Sequence, residues 1–176
     1  MSEVDDIIRE RPLTRFSLYT HLQSEVVRKL GRDLLDRFNC DPGVWNNSLT
    51  IPETYGSFWL WVIGAFEIVR TMTQRGNSQP FDDATLAHLD SLKSQLELVR
   101  IPFTKQELPK VKGVSQKKNL PVGGEPSIAG IGQYPPDMVF SVNGRQISAR
   151  QLIHRFEDTF SAIRAENVLA DHRANY

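Results

Sequence analysis

Two arginine–histidine pairs carry the side chains in this sequence best suited to phosphate chemistry. Arg150 and His154 are four apart in a segment with helical periodicity, so they share one face and could meet a phosphate together. Arg15 and His21, in RFSLYTH, are six apart, more than about 200° round a continuous helix, and they converge only if Arg15 lies before the helix begins. In either pair the histidine could act as acid or base and the arginine could stabilise charge on a phosphate. The alternative for both is polar surface beside a core stripe.

Charged residues elsewhere suggest binding rather than catalysis. Glu67 and Arg70 interrupt an apolar run at a spacing that permits an ion pair, extended by a link to Arg100 or Lys105; together these residues could form an anion-binding edge. The stretch RIPFTKQELPKVKGVSQKK carries six basic residues against Glu107 alone, a composition able to track a phosphate backbone. Its one aromatic residue, Phe103, offers little for base stacking, so the stretch reads first as a solvated loop.

The strong catalytic signatures are missing from the sequence: there is no phosphate-binding glycine loop, no GxGxxG, no HExxH, no GxSxG and no histidine pair at metal-ligand spacing. No metal and no cofactor is expected. The 21 basic and 21 acidic residues cancel, so any electrostatic attraction must come from local patches. A single cysteine, Cys40, read as a buried thiol, excludes an internal disulfide framework and fits a reducing compartment. The acidic N-terminus has no signal-like apolar run, and the longest apolar stretch, 58–66, is about half a membrane span, so a cytoplasmic protein without membrane contact is expected.

At 176 residues with 40% hydrophobic content, one domain with a real core must position these groups. Leu18, Leu22, Val26, Leu30, Leu34 and Phe38 recur every fourth residue and predict an amphipathic helix over 17–39. CDPGVWNNS then reads as a loop, and Thr50, Pro52 and Glu53 start a second helix over 51–75. That helix is apolar almost all round, so it is either central or presents Trp59 or Trp61 to a partner; Gly56 and Gly64 suggest close backbone approach. Asp82 or Asp83 caps a third helix that ends by Ile101 ahead of Pro102.

The 101–136 segment, with six prolines and five glycines, reads as a long loop, functional or disordered. Asn143-Gly144 predicts a β-hairpin over 138–148, and Ser148 with Gln151 caps a fourth helix to about Asn167, followed by a frayed tail. The expected fold is therefore mainly α: a four-helix bundle-like single domain over 1–176, with an N-terminal arm over 1–15 and a small hairpin before the last helix.

Three stretches, GSFWLWVIGAFEIVRTM, LELVRIPFTKQE and the final helix after a hairpin, resemble bacterial HEPN-type helical domains of toxin–antitoxin and antiphage defence systems. The resemblance implies a metal-independent RNA endonuclease, or an inactive nucleotide-binding relative, with arginine and histidine separated by four to six residues in a dimer cleft. Arg15 and His21 have five residues between them but lie near the first helix; Arg150 and His154 lie on the last helix with three. Against this stands a reading from the residues themselves: a non-enzymatic binding or regulatory module that acts through protein contacts and self-associates as a homodimer. A nucleotide sensor using Arg100 and Lys105 is a third.

Overall fold

In the computed structural model, residues 3–40, 50–74, 79–105, 128–129, 137–142 and 145–169 are described. Helices α1 (Glu3–Glu10), α2 (Leu13–Phe16), α3 (Leu18–Phe38), α4 (Thr50–Thr73), α5 (Asp83–Lys105) and α6 (Ala149–Ala162) dominate, with β1 (Ile128–Ala129), β2 (Val139–Val142) and β3 (Arg145–Ser148) placed before α6. The mainly α, bundle-like architecture with a hairpin ahead of the last helix is the one expected from the sequence. Residues 41–49, Asn143-Gly144, most of 106–136 and the DHRANY tail lie outside the described residues.

α4 is the central helix, packed against both α3 and α5. Its near-continuous apolar sequence follows from that position: Phe58, Trp61, Val62, Ala65, Val69 and Met72 are all fully buried. Phe58 stacks on Trp61 and on Phe140 of β2, Trp61 meets Phe156 of α6 edge-on at 5.6 Å between ring centroids, and Phe156 stacks on Phe160. One aromatic chain thus ties the hairpin and the last helix to the centre, each ring pair adding about 0.5–1.5 kcal/mol beyond area burial.

Local signals explain where the elements start. The Ser17 hydroxyl accepts from the Thr20 amide and opens α3; Ser148 accepts from the Gln151 amide and opens α6; Asp82 accepts from the Thr85 amide and opens α5. The Asp82 carboxyl is held below its usual range by the Thr85 and Asn167 hydrogen bonds. Asn167 donates its side-chain N–H to Asp82, Phe81 bridges Val168, and the Leu169 amide donates to the Pro80 carbonyl, so the chain after α6 is strapped to the start of α5.

Six expectations are corrected. The 1–15 arm carries two short helices, and Leu13 joins the core. α5 continues through Pro102, which is buried, to Lys105 instead of ending at Ile101. The 101–136 segment contributes a strand: Ile128 and Ala129 pair antiparallel with Phe140 and Val139, so the hairpin grows into a three-stranded sheet in the order β1-β2-β3. α6 stops at Ala162, and Ala165–Asn167 form a 3₁₀ turn. Cys40 is exposed, its thiol donating to the Asp36 carbonyl. Finally, the N-terminal half of the α3 stripe faces away from the core: Leu18, Leu22 and Val26 are more than half exposed, while Thr20, His21, Ser24 and Val27 are buried.

The last correction has a geometric cause. A repeat of four advances about 40° per step in a helix of 3.6 residues per turn, so Leu18 and Phe38 lie about 200° apart. The C-terminal half of that stripe reaches the core: Leu34 and Phe38 are buried in it and Leu30 packs against it.

Candidate functional site

The last helix shows how its arginine–histidine pair is used. The Arg150 guanidinium donates to the Phe38 carbonyl and to Asn39 Oδ1, both at 2.9 Å, and lies over the Phe38 ring at 5.5 Å. Its amide donates to Asp137. Arg150 therefore satisfies the carbonyls at the end of α3, where backbone acceptors lack intrahelical partners, and clamps that end onto α6. His154, one turn on, is exposed. The two share a helix face as expected, but the arginine's charge is committed to the fold.

Near the N-terminus, Arg15 sits on α2, before the extended Ser17 that opens α3, so the condition for its approach to His21 is met. Its guanidinium donates to the Ala165 carbonyl, however, and the cations that act on His21 are Arg11 and Arg28. His21 is buried beside Thr20 and Ser24 on the inner face of α3. Burial lowers its pKa below the ordinary histidine value, with Arg11 and Arg28 adding to the shift and Glu25 opposing it, so the ring is neutral at pH 7. Arg28 itself bonds Glu157 at 2.8 Å and Ser161, and Arg32 reaches the same carboxylate, which joins α3 to α6.

Glu67 and Arg70 form the ion pair that their spacing permits, at 2.7 Å, and Arg100 reaches the other Glu67 oxygen at 3.3 Å while lying 4.3 Å over the Phe66 ring. Glu67 is thus shared between Arg70 of α4 and Arg100 of α5, one carboxylate between two cations. Lys105 occupies the last turn of α5, and its side chain lies outside the described residues. So do Lys110, Lys112, Lys117 and Lys118 of the basic stretch. Of the two tryptophans considered for partner contact, Trp61 is wholly buried and Trp59 is 38% exposed, so Trp61 belongs to the core and not to a contact surface.

The arrangement best able to bind another molecule lies apart from these pairs. Along the seam between α3 and α4 runs an open, largely apolar groove of about 430 Å³ lined by Leu22, Gln23, Val26 and Val27 from α3 and by Gly64, Glu67, Ile68 and Thr71 from α4. Gly64 is needed there: a Cβ at this position would lie 2.8 Å from Val27 Cγ2, so glycine lets the two helices approach at the floor of the groove. Gly56, by contrast, would have nothing within 4 Å of its Cβ, so close approach explains one glycine and not the other.

Above the groove the N-terminal half of α3 turns apolar side chains outward: Leu18 is 56% exposed, Tyr19 78%, Leu22 53% and Val26 68%, and Leu60 of α4 is 57% exposed. The i, i+4, i+8 repeat that fails to reach the core is the repeat that builds this face, and the drift of that repeat round the helix is the signal in the sequence that marks it as an outward surface.

Among the described residues, no group of three or more His, Cys, Asp or Glu could hold a metal ion, and no helix is long and apolar enough to cross a membrane. No family model, no curated protein and no solved structure matches this chain.

Proposed function

We propose that the protein is a helical binding module that self-associates, and that a second copy of the chain covers the outer face of α3 and the α3–α4 groove. The observation that carries this reading is the exposure of Leu18, Tyr19, Leu22 and Val26 on one side of one helix, beside an apolar groove.

A second copy is the occupant that fits the chemistry. The chain has no net charge, so two copies do not repel at long range. An antiparallel two-fold pairing of α3 centred on Leu22 sets Leu18 of one copy against Val26 of the other, so each copy covers the other's exposed apolar side chains. The exposed fractions of Leu18, Tyr19, Leu22, Val26 and Leu60 together equal about three whole side chains per copy. At about 2 kcal/mol each, two copies gain about 12 kcal/mol gross, which leaves about 8 kcal/mol, a micromolar dimer, after an association cost of about 4 kcal/mol at the low end of its range.

Val26→Asp tests it. Val26 is 68% exposed, so the monomer keeps its fold, while a two-fold dimer would have to bury two carboxylates. The dimer dissociation constant in sedimentation equilibrium should rise at least tenfold; a variant that associates as tightly as the parent sinks the proposal.

A second reading rests on His21, whose pKa burial lowers, favouring the neutral imidazole that can accept a proton. In it the protein is a metal-independent ribonuclease of the HEPN type, with His21 assisted by Arg11 or Arg28. Unchanged RNA cleavage after His21→Ala removes that assignment.

A further inference from the structure

A second recess lies on a different side of the fold, where β3, α5 and α6 meet. It encloses about 280 Å³. Arg145 of β3 and Arg155 of α6 line it, and three amides join them: Gln95 from α5, Gln146 from β3 and Gln151 from α6. Leu98, Ile147 and Leu152 supply the apolar part of the wall.

Local structure explains the convergence. Gln151 and Arg155 are four apart on α6 and therefore share a face. Arg155 Nη2 donates to Ser91 Oγ at 2.9 Å, which pins its guanidinium against α5 and leaves its other N–H groups for a ligand. The Arg145 side chain is exposed and makes no hydrogen bond or ion pair among the described residues. Among the described residues, no Asp or Glu lines the recess. The carboxylate of Asp137 close by accepts from the Ser148 hydroxyl and the Arg150 amide, and is occupied by them.

We infer that this recess is a binding site for a small organic phosphate monoester. Two guanidiniums and three carboxamides provide more donors than a carboxylate with two oxygens can accept, whereas a phosphate dianion presents three oxygens to bidentate arginines. The Leu98–Ile147–Leu152 wall is where a flat or apolar organic body would rest, and the glutamines can read polar atoms on its edge. The volume sits at the lower end of ligand pockets and suits a molecule of nucleoside-monophosphate size or smaller. The site shares no residue with the α3–α4 face, so it stands or falls independently of self-association.

The test uses the full chain and four probes: inorganic phosphate, phenyl phosphate, adenosine monophosphate and adenosine, titrated by calorimetry and by thermal melts. A phosphate ester should bind saturably and raise the melting temperature with concentration, while adenosine does neither. Inorganic phosphate should bind at least tenfold more weakly than the better ester, because it forgoes the apolar wall. Arg145→Gln, at an exposed side chain, should weaken ester binding at least tenfold and leave the unliganded melting temperature unchanged. The inference is overturned if neither ester binds below millimolar concentration, if inorganic phosphate binds as tightly as both esters, or if Arg145→Gln binds them as the parent does.

Discussion

Replacing Gly64 and Gly56 of α4 by alanine, one at a time, should change stability in opposite directions. In a helix interior alanine is favoured over glycine by about 0.5–1 kcal/mol because it restricts the unfolded chain and the helix backbone. Gly56 has open space where the alanine methyl would stand, so Gly56→Ala should realise that gain. At Gly64 the new methyl would stand 2.8 Å from Val27 Cγ2, closer than carbon atoms pack, and α3 is held on its other side by Arg28 and Arg32 bonded to Glu157. Overpacking of this kind costs about 1–3 kcal/mol, which outweighs the propensity gain and leaves Gly64→Ala about 1–2 kcal/mol less stable. For a chain of this size that is a loss of roughly 2–8 °C in melting temperature, against a rise of about 1–4 °C for Gly56→Ala. Urea unfolding of both variants, with Val27→Ala alone and combined with Gly64→Ala, completes a double-mutant cycle in which trimming Val27 should recover most of the penalty. If Gly64→Ala is as stabilising as Gly56→Ala, or if the cycle shows no coupling to Val27, the close approach of α3 and α4 is wrong.

Three further outcomes are expected. Arg150→Ala should cost about 2–3 kcal/mol in chemical denaturation, because two charged-donor hydrogen bonds to the end of α3 and the contact with Phe38 are lost together; a neutral effect would mean the clamp is not formed. His21 is more readily protonated unfolded than folded, since burial lowers its folded pKa from 6.5; stability should therefore fall as pH drops from 7 through 6.5 and level off below the folded pKa. His21→Gln should flatten that part of the stability–pH curve, and identical curves for parent and variant would contradict the assignment. Val26→Asp should leave the far-ultraviolet dichroism and the monomer's urea midpoint near those of the parent while weakening the dimer; loss of fold would show instead that α3 has its other face inward.

Much of the helical framework is legible in the sequence because it rests on local chemistry: Asp82 and Ser148 are caps that the sequence displays, and the apolar run around Trp61 belongs to a central helix. The features that are not legible depend on tertiary context. Pro102 signals a helix end, but α5 runs on to Lys105 with the proline itself buried, a packing gain that no local rule displays. Ile128–Ala129 is two residues long, too short to carry a period, and becomes a strand only because β2 offers it an edge. Charged pairs are legible in spacing but not in role: Glu67 and Arg70 do pair, whereas Arg150 is drawn to Asn39 and the Phe38 carbonyl, 111 and 112 residues away, which no spacing rule could supply. The apolar surface is hidden because a four-residue repeat groups Leu18, Leu22 and Val26 with Leu34 and Phe38 as one face, although the helix turns them apart.

The central claim is that the outer face of α3 is covered by a second copy of the chain, and sedimentation equilibrium of the unmodified protein from sub-micromolar to several hundred micromolar tests it most directly. The account predicts a weight-average mass that rises from one chain to two, with a midpoint in the micromolar range. A mass of one chain at every concentration, with Leu22 and Val26 left open to water, would contradict it.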